Sequence, residues 1–259
     1  MSNNKIHATA VIADSAKLGT DCVIGPYCVI GPDNILGDGV NLHSHVVIGA
    51  NTTIGNNCEI YQFASIGEKT QDLKYKGEPT YTEIGDNNTI REYVTIHRGT
   101  GPGEKTIIGS SCTILAYCHI AHNCILGDKI IMSNGATLAG HVEVGDAAIV
   151  GGLTGIHQFV KIGTMAMVGG ASKLVQDVLP FSIADGAPAV TRIINKIGLQ
   201  RNNKDKDTIK TIHRAFKIIF KKDLKLEDAV KRLEEEFSES QEVAQILEFI
   251  AKSNRGLAR

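Results

Sequence analysis

The feature that most constrains this chain is a six-residue repeat. Counting in sixes from Ile6 lands on an aliphatic residue at Ile12, Leu18, Ile24, Ile30, Leu36, Leu42, Ile48, Ile54, Ile60 and Ile66. The register resumes at Ile84, Ile90 and Ile96 and runs again from Ile108 to Leu174, with only Asp72, Glu78 and Pro102 interrupting it. Glycine often follows the aliphatic residue, as at Gly19, Gly25, Gly49, Gly127 and Gly163. A period of six matches neither a 3.6-residue helix nor a plain two-residue alternation. It matches a short strand, a turn and another short strand. Three such hexads make an 18-residue coil of a triangular prism, with the aliphatic residues stacked inside and successive coils about 4.8 Å apart. The fold predicted from this spacing is mainly β, a parallel β-helix over residues 1–189. Loops leave it at 68–82 and 99–106, where the register breaks.

Residues 190–259 read differently. Ile209, Ile212, Phe216, Ile219 and Phe220 form an apolar helical face, as do Leu226, Val230, Leu233 and Phe237, then Val243, Ile246, Leu247 and Ile250. An α-helical C-terminal domain that covers the open end of the solenoid is expected. Its first part is basic: Arg192, Lys196, Arg201, Lys204, Lys206, Lys210, Arg214, Lys217, Lys221 and Lys222 stand against Asp205 and Asp207 alone. That surplus suits an acidic protein partner. The chain as a whole carries a formal charge of −1, which argues against a general nucleic-acid or membrane-surface binder. No stretch of about 18 apolar residues occurs, so stable membrane insertion is not expected and a cytoplasmic location is the default.

The six cysteines, Cys22, Cys28, Cys58, Cys112, Cys118 and Cys124, each lie four residues after a register aliphatic. Ala10, Val46, Ala64, Ala136 and Val142 hold that position elsewhere, so the cysteines read as small apolar fillers of the prism interior. The histidines read otherwise. Residues 18 apart stack, which puts His122, Gly140 and Gln158 in one column, Ala121, Ala139 and His157 in the next, and Asn123, His141 and Phe159 in a third. His119 ends the strand leading into this corner. Such a cluster is either a general base with its neighbours or a metal site, since imidazole serves both purposes.

Longer motifs carry a resemblance. Tyr61-Gln-Phe-Ala-Ser-Ile-Gly67, Gln71-Asp-Leu-Lys-Tyr75, Ile96-His-Arg-Gly-Thr100, His119-Ile-Ala-His122, Ala136-Thr-Leu-Ala-Gly-His141 and His157-Gln-Phe159 closely resemble the UDP-N-acetylglucosamine O-acyltransferases, hexapeptide-repeat enzymes of lipid A biosynthesis. The resemblance implies a left-handed β-helix assembled as a homotrimer, with the active site between neighbouring subunits. It implies transfer of a 3-hydroxyacyl chain from acyl carrier protein to the glucosamine 3-hydroxyl of UDP-N-acetylglucosamine, with neither cofactor nor metal. His122 matches the family's base and Gly140 its backbone oxyanion donor. Asp72, Lys74, His141, His157 and Gln158 match substrate-binding positions, His119 either binds substrate or orients its neighbours, Asn195 and Arg201 match positions for uracil and diphosphate, and Gly170 the acyl-chain ruler.

Three residues depart from the family pattern. Asn123 stands where many members have Asp beside the base, so no carboxylate at that position can polarise the imidazole. Ile197 and Asn202 replace charged residues in the nucleotide-binding segment. An acetyl-CoA-dependent acetyltransferase, the sister N-acyltransferase of the pathway, and a non-catalytic β-helical scaffold or metal-binding module are the alternatives. The sister enzyme fits less well, because it carries an extra N-terminal domain and the repeats here begin at Ile6. The 3-amino analogue of the sugar nucleotide is an alternative acceptor.

Overall fold

The computed structural model describes residues 3–221 and 223–259; Lys222, counted above in the basic segment, lies outside the described residues. Short strands alternate with turns and hydrogen-bond to the coil above, giving sheets of eleven, nine and eight strands, parallel except for the last pair of the eleven, here called the first, second and third sheets. Ile6 pairs with Ile24, Ile12 with Ile30 and Leu18 with Leu36, the 18-residue step of a triangular coil. This is a left-handed parallel β-helix.

The register residues and the cysteines point inward. Ile30, Ile48, Ile60, Ile96 and Ile120 are at most 1% exposed, as are all six cysteines. Each buried isoleucine contributes roughly 1.5–3 kcal/mol of apolar transfer, repeated coil after coil. Burial also pushes the thiols of Cys112 and Cys118 up to about 11 and that of Cys124 up to about 12, which keeps them protonated and inert. Three residues after most register aliphatics the backbone turns through the left-handed region. Tyr93, Tyr117, Asn123, His141 and Phe159 all have φ between +60° and +64°. That conformation costs most side chains about 1–2 kcal/mol and asparagine less. It also throws these side chains outward in vertical ladders, as in the stacked rings of Tyr93 and Tyr117, 4.9 Å apart.

The two breaks in the register are loops. Ile54 pairs with Ile84 and Ile84 with Ile108, steps of 30 and 24 residues in place of 18, so twelve and six extra residues leave the prism. The strands Ser65–Glu68, Tyr81–Ile84, Thr95–His97 and Lys105–Ile108 bound loops at 69–80 and 98–104, slightly shorter than the expected 68–82 and 99–106.

The helical region begins later than residue 190. Ser182–Gly186 continues the first sheet and pairs antiparallel with Ala189–Ile194, so a hairpin closes the prism before any helix starts. Four helices follow: α1 (Lys196–Arg201), α2 (Lys206–Ile219), α3 (Leu226–Glu236) and α4 (Gln241–Ala251). Ile209, Ile212, Ala215, Ile219, Leu233, Val243 and Ile246 pack with Leu179 and Phe181 as a second core over that end. None of the described helices is long and apolar enough to cross a membrane.

Candidate active site

The corner between the second and third sheets carries the histidines. The strand His119–Ile120 leaves the second sheet, residues 121–124 turn, and Ile125–Leu126 enters the third; Thr137–Leu138 and Glu143–Val144 repeat the path one coil above. Together with the 69–80 loop this corner encloses a cleft of about 710 Å³, within the size range of small-molecule sites. Gln71, Asp72, Lys74, His97, His119, His122, Gly140, His141 and Gln158 line it.

Gly140 sits directly over His122, and a Cβ added there would lie 2.5 Å from ring atoms Cε1 and Nε2. Only glycine fits. The backbone N–H of Gly140 has no acceptor among the described residues, unlike the equivalent groups at the corner between the third and first sheets. There Ser110 N–H donates to Asp128 Oδ1 at 2.7 Å and Asp128 N–H to Asp146 Oδ1 at 2.9 Å. The side chain one coil above Gly140 is Gln158, which makes no such bond, so the donor is left for whatever occupies the cleft.

His122 is held from one side. Its Nδ1 lies 2.9 Å from Asn123 Oδ1, which also accepts the Thr100 N–H at 2.9 Å, while Asn123 Nδ2 donates to Glu104 Oε2 at 2.6 Å. Its Nε2 faces Asp72 Oδ2 at 3.9 Å, too long for a hydrogen bond and short enough for one intervening hydroxyl. His122 is 15% and Asp72 21% exposed at the side chain. Asp72 is itself anchored: its N–H donates to Thr70 Oγ1 at 3.1 Å, and Thr100 Oγ1 donates to the same oxygen at 2.9 Å, tying the two loops together.

Burial lowers the basicity of three surrounding imidazoles. His97 is driven down to about 4 by burial and then by the neighbouring His119 and His122. His119, hydrogen-bonded to Thr95 Oγ1 at 2.7 Å, is lowered by burial and by His122; His141 is lowered by burial, by His122 and by Lys74, against the opposing pull of Glu104 and Asp72. His141 stands edge-on to His122 with ring centroids 5.2 Å apart and stacks on Phe159 at 4.6 Å. Among the described residues no three His, Cys, Asp or Glu side chains are arranged to hold a metal ion.

Not every residue expected at the site meets here. His157 is exposed beside the cleft, its Nδ1 against the Gln158 carbonyl at 3.2 Å. Gly170 stacks above Gly152 at the corner between the first and second sheets, away from His122. Asn195 is 4% exposed and caps α1: its Oδ1 accepts the Gly198 N–H at 3.0 Å and its Nδ2 donates to the Met165 carbonyl at 2.8 Å. Its amide is engaged inside the chain, and Arg201 at the end of α1 is exposed and outside the cleft. The basic surplus is also partly offset, because Lys204 pairs with Glu242 at 2.7 Å, Arg214 with Glu236 at 3.8 Å, Lys210 with Asp207 at 2.8 Å and Arg192 with Asp185. Lys196, Lys206, Lys210 and His213 surround a separate pocket with Ile193 and Ile209.

Two residues near His122 were missed from sequence, one lining the cleft and one at the end of the 98–104 loop beside Asn123. His97 pairs one coil below Ala121 once the 24-residue step is used, and Glu104 lies 18 residues before His122, in the same column.

Comparison with known proteins decides the family. The chain is 46% identical over 255 residues to the acyl-[acyl-carrier-protein]--UDP-N-acetylglucosamine O-acyltransferase of Thiobacillus denitrificans, covering 98% of this chain and 99% of that one. The chain belongs to the UDP-N-acetylglucosamine O-acyltransferase family. As a member of that family it is an acyltransferase. The profile "Udp N-acetylglucosamine O-acyltransferase; Domain 2" matches residues 177–258, and that of bacterial transferase hexapeptide repeats matches 1–32, 27–62 and 105–140. Among solved structures, LpxA from Acinetobacter baumannii is 47% identical with a TM-score of 0.95 over 98% of this chain and 99% of that one. The UDP-N-acetylglucosamine O-acyltransferase of Moraxella catarrhalis is 44% identical with a TM-score of 0.94 over the same shares. The departures at Asn123, Ile197 and Asn202 are thus variations inside the UDP-N-acetylglucosamine O-acyltransferase family.

Proposed function

We propose that the protein transfers a 3-hydroxyacyl chain from acyl carrier protein to the 3-hydroxyl of UDP-N-acetylglucosamine, the first step of lipid A biosynthesis, with His122 as general base. The observation that carries this reading is the pairing of His122 Nε2, aimed into the cleft, with the unpaired N–H of Gly140 one coil above. A sugar hydroxyl is a poor nucleophile and needs its proton removed as it attacks. In this mechanism His122 Nε2 takes that proton while the hydroxyl oxygen bonds to the thioester carbonyl carbon. The carbonyl oxygen, now carrying negative charge, accepts the Gly140 N–H. Collapse of the tetrahedral species expels the carrier thiolate, which takes the proton from the imidazolium, leaving the ester. Asp72, opposite Nε2, holds the sugar and stabilises the imidazolium as it forms. Lys74, His119, His141, His157 and Gln158 contact the substrates. The reaction uses neither metal nor cofactor.

The working form is a homotrimer in the cytoplasm. Gly170 and the cleft lie on different corners of one prism, so the acyl-ruler role needs the corner of one subunit to face the cleft of the next. Tyr93, Tyr117 and Leu153, 45%, 64% and 76% exposed on the Gly170 corner, and the fully exposed Leu73 of the 69–80 loop are apolar surfaces that such an assembly would cover. A neighbour would also supply Arg201 for the diphosphate. The buried amide of Asn195 supports a structural cap there in preference to a uracil contact. The acidic carrier protein docks on the basic C-terminal domain.

The test is a transfer assay that offers UDP-N-acetylglucosamine and its 3-amino analogue to a ladder of 3-hydroxyacyl carrier proteins and to acetyl-CoA. Ester product from the ordinary sugar nucleotide and a carrier-bound donor is expected. Exclusive use of acetyl-CoA, or of the amino acceptor, would overturn the assignment.

A further inference from the structure

His122 Nδ1 meets Asn123, whose amide contacts a carboxylate, Glu104, distant in sequence. A side-chain amide can present either end, and which end faces His122 decides where the imidazole proton sits. Two partners fix the amide of Asn123. The Thr100 N–H can only donate, so at 2.9 Å it requires Oδ1; an ionised Glu104 can only accept, so at 2.6 Å it requires Nδ2. With Oδ1 thus turned to His122, the ring nitrogen 2.9 Å away must carry the proton. The proton is then on Nδ1 and the lone pair on Nε2 faces Asp72 and the cleft, the tautomer a general base needs.

The loop at 98–104 is shaped for this contact. Gly101 has φ +104°, a conformation that other residues rarely adopt, and a Cβ there would meet the Glu104 carboxylate at 3.0 Å. The Glu104 N–H donates to the Gly101 carbonyl at 3.1 Å, curling the chain so that the carboxylate reaches Asn123. The Asn123 N–H in turn donates to Thr106 Oγ1 at 2.9 Å, pinning the amide from the strand that follows the loop.

We propose that Glu104 is a positioning residue of the active site, which acts through Asn123 to hold His122 in the Nδ1–H tautomer and to support the positive charge that forms on it during transfer. The catalytic half of this inference rests on the function proposed above; the tautomer half does not. Glu104→Gln keeps the size and removes the charge, and is expected to lower kcat about tenfold with little change in the KM for the sugar nucleotide. Asn123→Asp alone is expected to give no gain, because it sets two carboxylates within hydrogen-bonding distance. In the Glu104→Gln background the same Asn123→Asp change gives His122 a carboxylate directly and is expected to restore most of kcat. A loop contact without influence on the base would make Asn123→Asp act equally in both backgrounds, and that result overturns the proposal. Imidazole NMR on the free protein, with His122 assigned by loss of its signals in His122→Gln, reads the tautomer without turnover. Nδ1–H is expected in wild type, with Nε2–H gaining population in Glu104→Ala. A predominantly Nε2–H ring in wild type contradicts the proposal, whereas the expected tautomers in a protein that transfers no acyl group would sink the functional reading and leave this one standing.

Discussion

Gly140 roofs His122 so closely that a single methyl group at residue 140 would fall 2.5 Å from the imidazole Cε1 and Nε2. The same glycine presents the N–H that we assign to the oxyanion. Gly140→Ala should therefore push the base out of line without unfolding a prism whose core it does not touch. Misplacement of a reacting group by about 1 Å costs on the order of 10²-fold, and that is the expected loss in kcat. Thermal unfolding of the variant should stay within about 1 kcal/mol of wild type. A variant that keeps wild-type kcat would remove Gly140 from the site.

The ruler role proposed for Gly170 predicts an effect on acyl length. Its backbone is not in the left-handed region, and a Cβ there would meet the Gly152 carbonyl oxygen at 3.3 Å and the Gly152 nitrogen at 3.8 Å, so a side chain fits with a small adjustment. Gly170→Met should shift the best donor to shorter chains by steric exclusion, each lost buried methylene forfeiting about 0.8 kcal/mol. The comparison is kcat/KM over a ladder of 3-hydroxyacyl carrier proteins; an unmoved optimum means that another residue ends the groove.

Charge on the C-terminal domain should matter selectively. Lys196 and Lys206 make no ion pair among the described residues and flank the pocket beside Ile193, whereas Lys204 and Arg214 already have carboxylate partners. Reversing Lys196 and Lys206 to Glu should raise the carrier-protein KM on the order of tenfold at low salt and leave the sugar-nucleotide KM nearly unchanged. The difference should shrink as salt screens it. Equal changes in both KM values would point to a folding defect.

The buried thiols make a pH prediction. Cys112, Cys118 and Cys124 are raised from 9.0 to about 11, about 11 and about 12, so above pH 9 the unfolded chain loses protons that the folded chain keeps. Their contribution to stability is full below pH 9 and is lost as pH rises through 9 to 12. Urea midpoints should fall more steeply over that range in wild type than in a variant with all three changed to Ala. Parallel curves would show that the thiols are not the titrating groups.

Much of this architecture is legible in the sequence because a solenoid makes distance along the chain predict distance in space. The 18-residue step alone stacks Gly140 on His122 and buries the cysteines. What escaped was local. Glu104 is 18 residues before His122, but Pro102 marked that stretch as a loop outside the register. His97 was hidden by the six inserted residues that change the step to 24. Asn195 looked like a ligand because its three-residue spacing to Gly198, a helix-cap spacing, coincided with a binding motif. The hairpin Ser182–Ile194 had a signal in Gly186-Ala187-Pro188, whose last two residues form the turn, which the onset of helical periodicity obscured.

The central claim is that His122 removes the proton from the attacking hydroxyl. The most direct measurement is kcat of His122→Ala with both substrates saturating, alongside binding of the sugar nucleotide and a check that the protein remains folded. A loss of about 10²–10⁴-fold in kcat with binding largely retained is the predicted result. A variant that keeps more than about a tenth of wild-type kcat, against a general-base contribution of at least about 10², would mean that another group is the base.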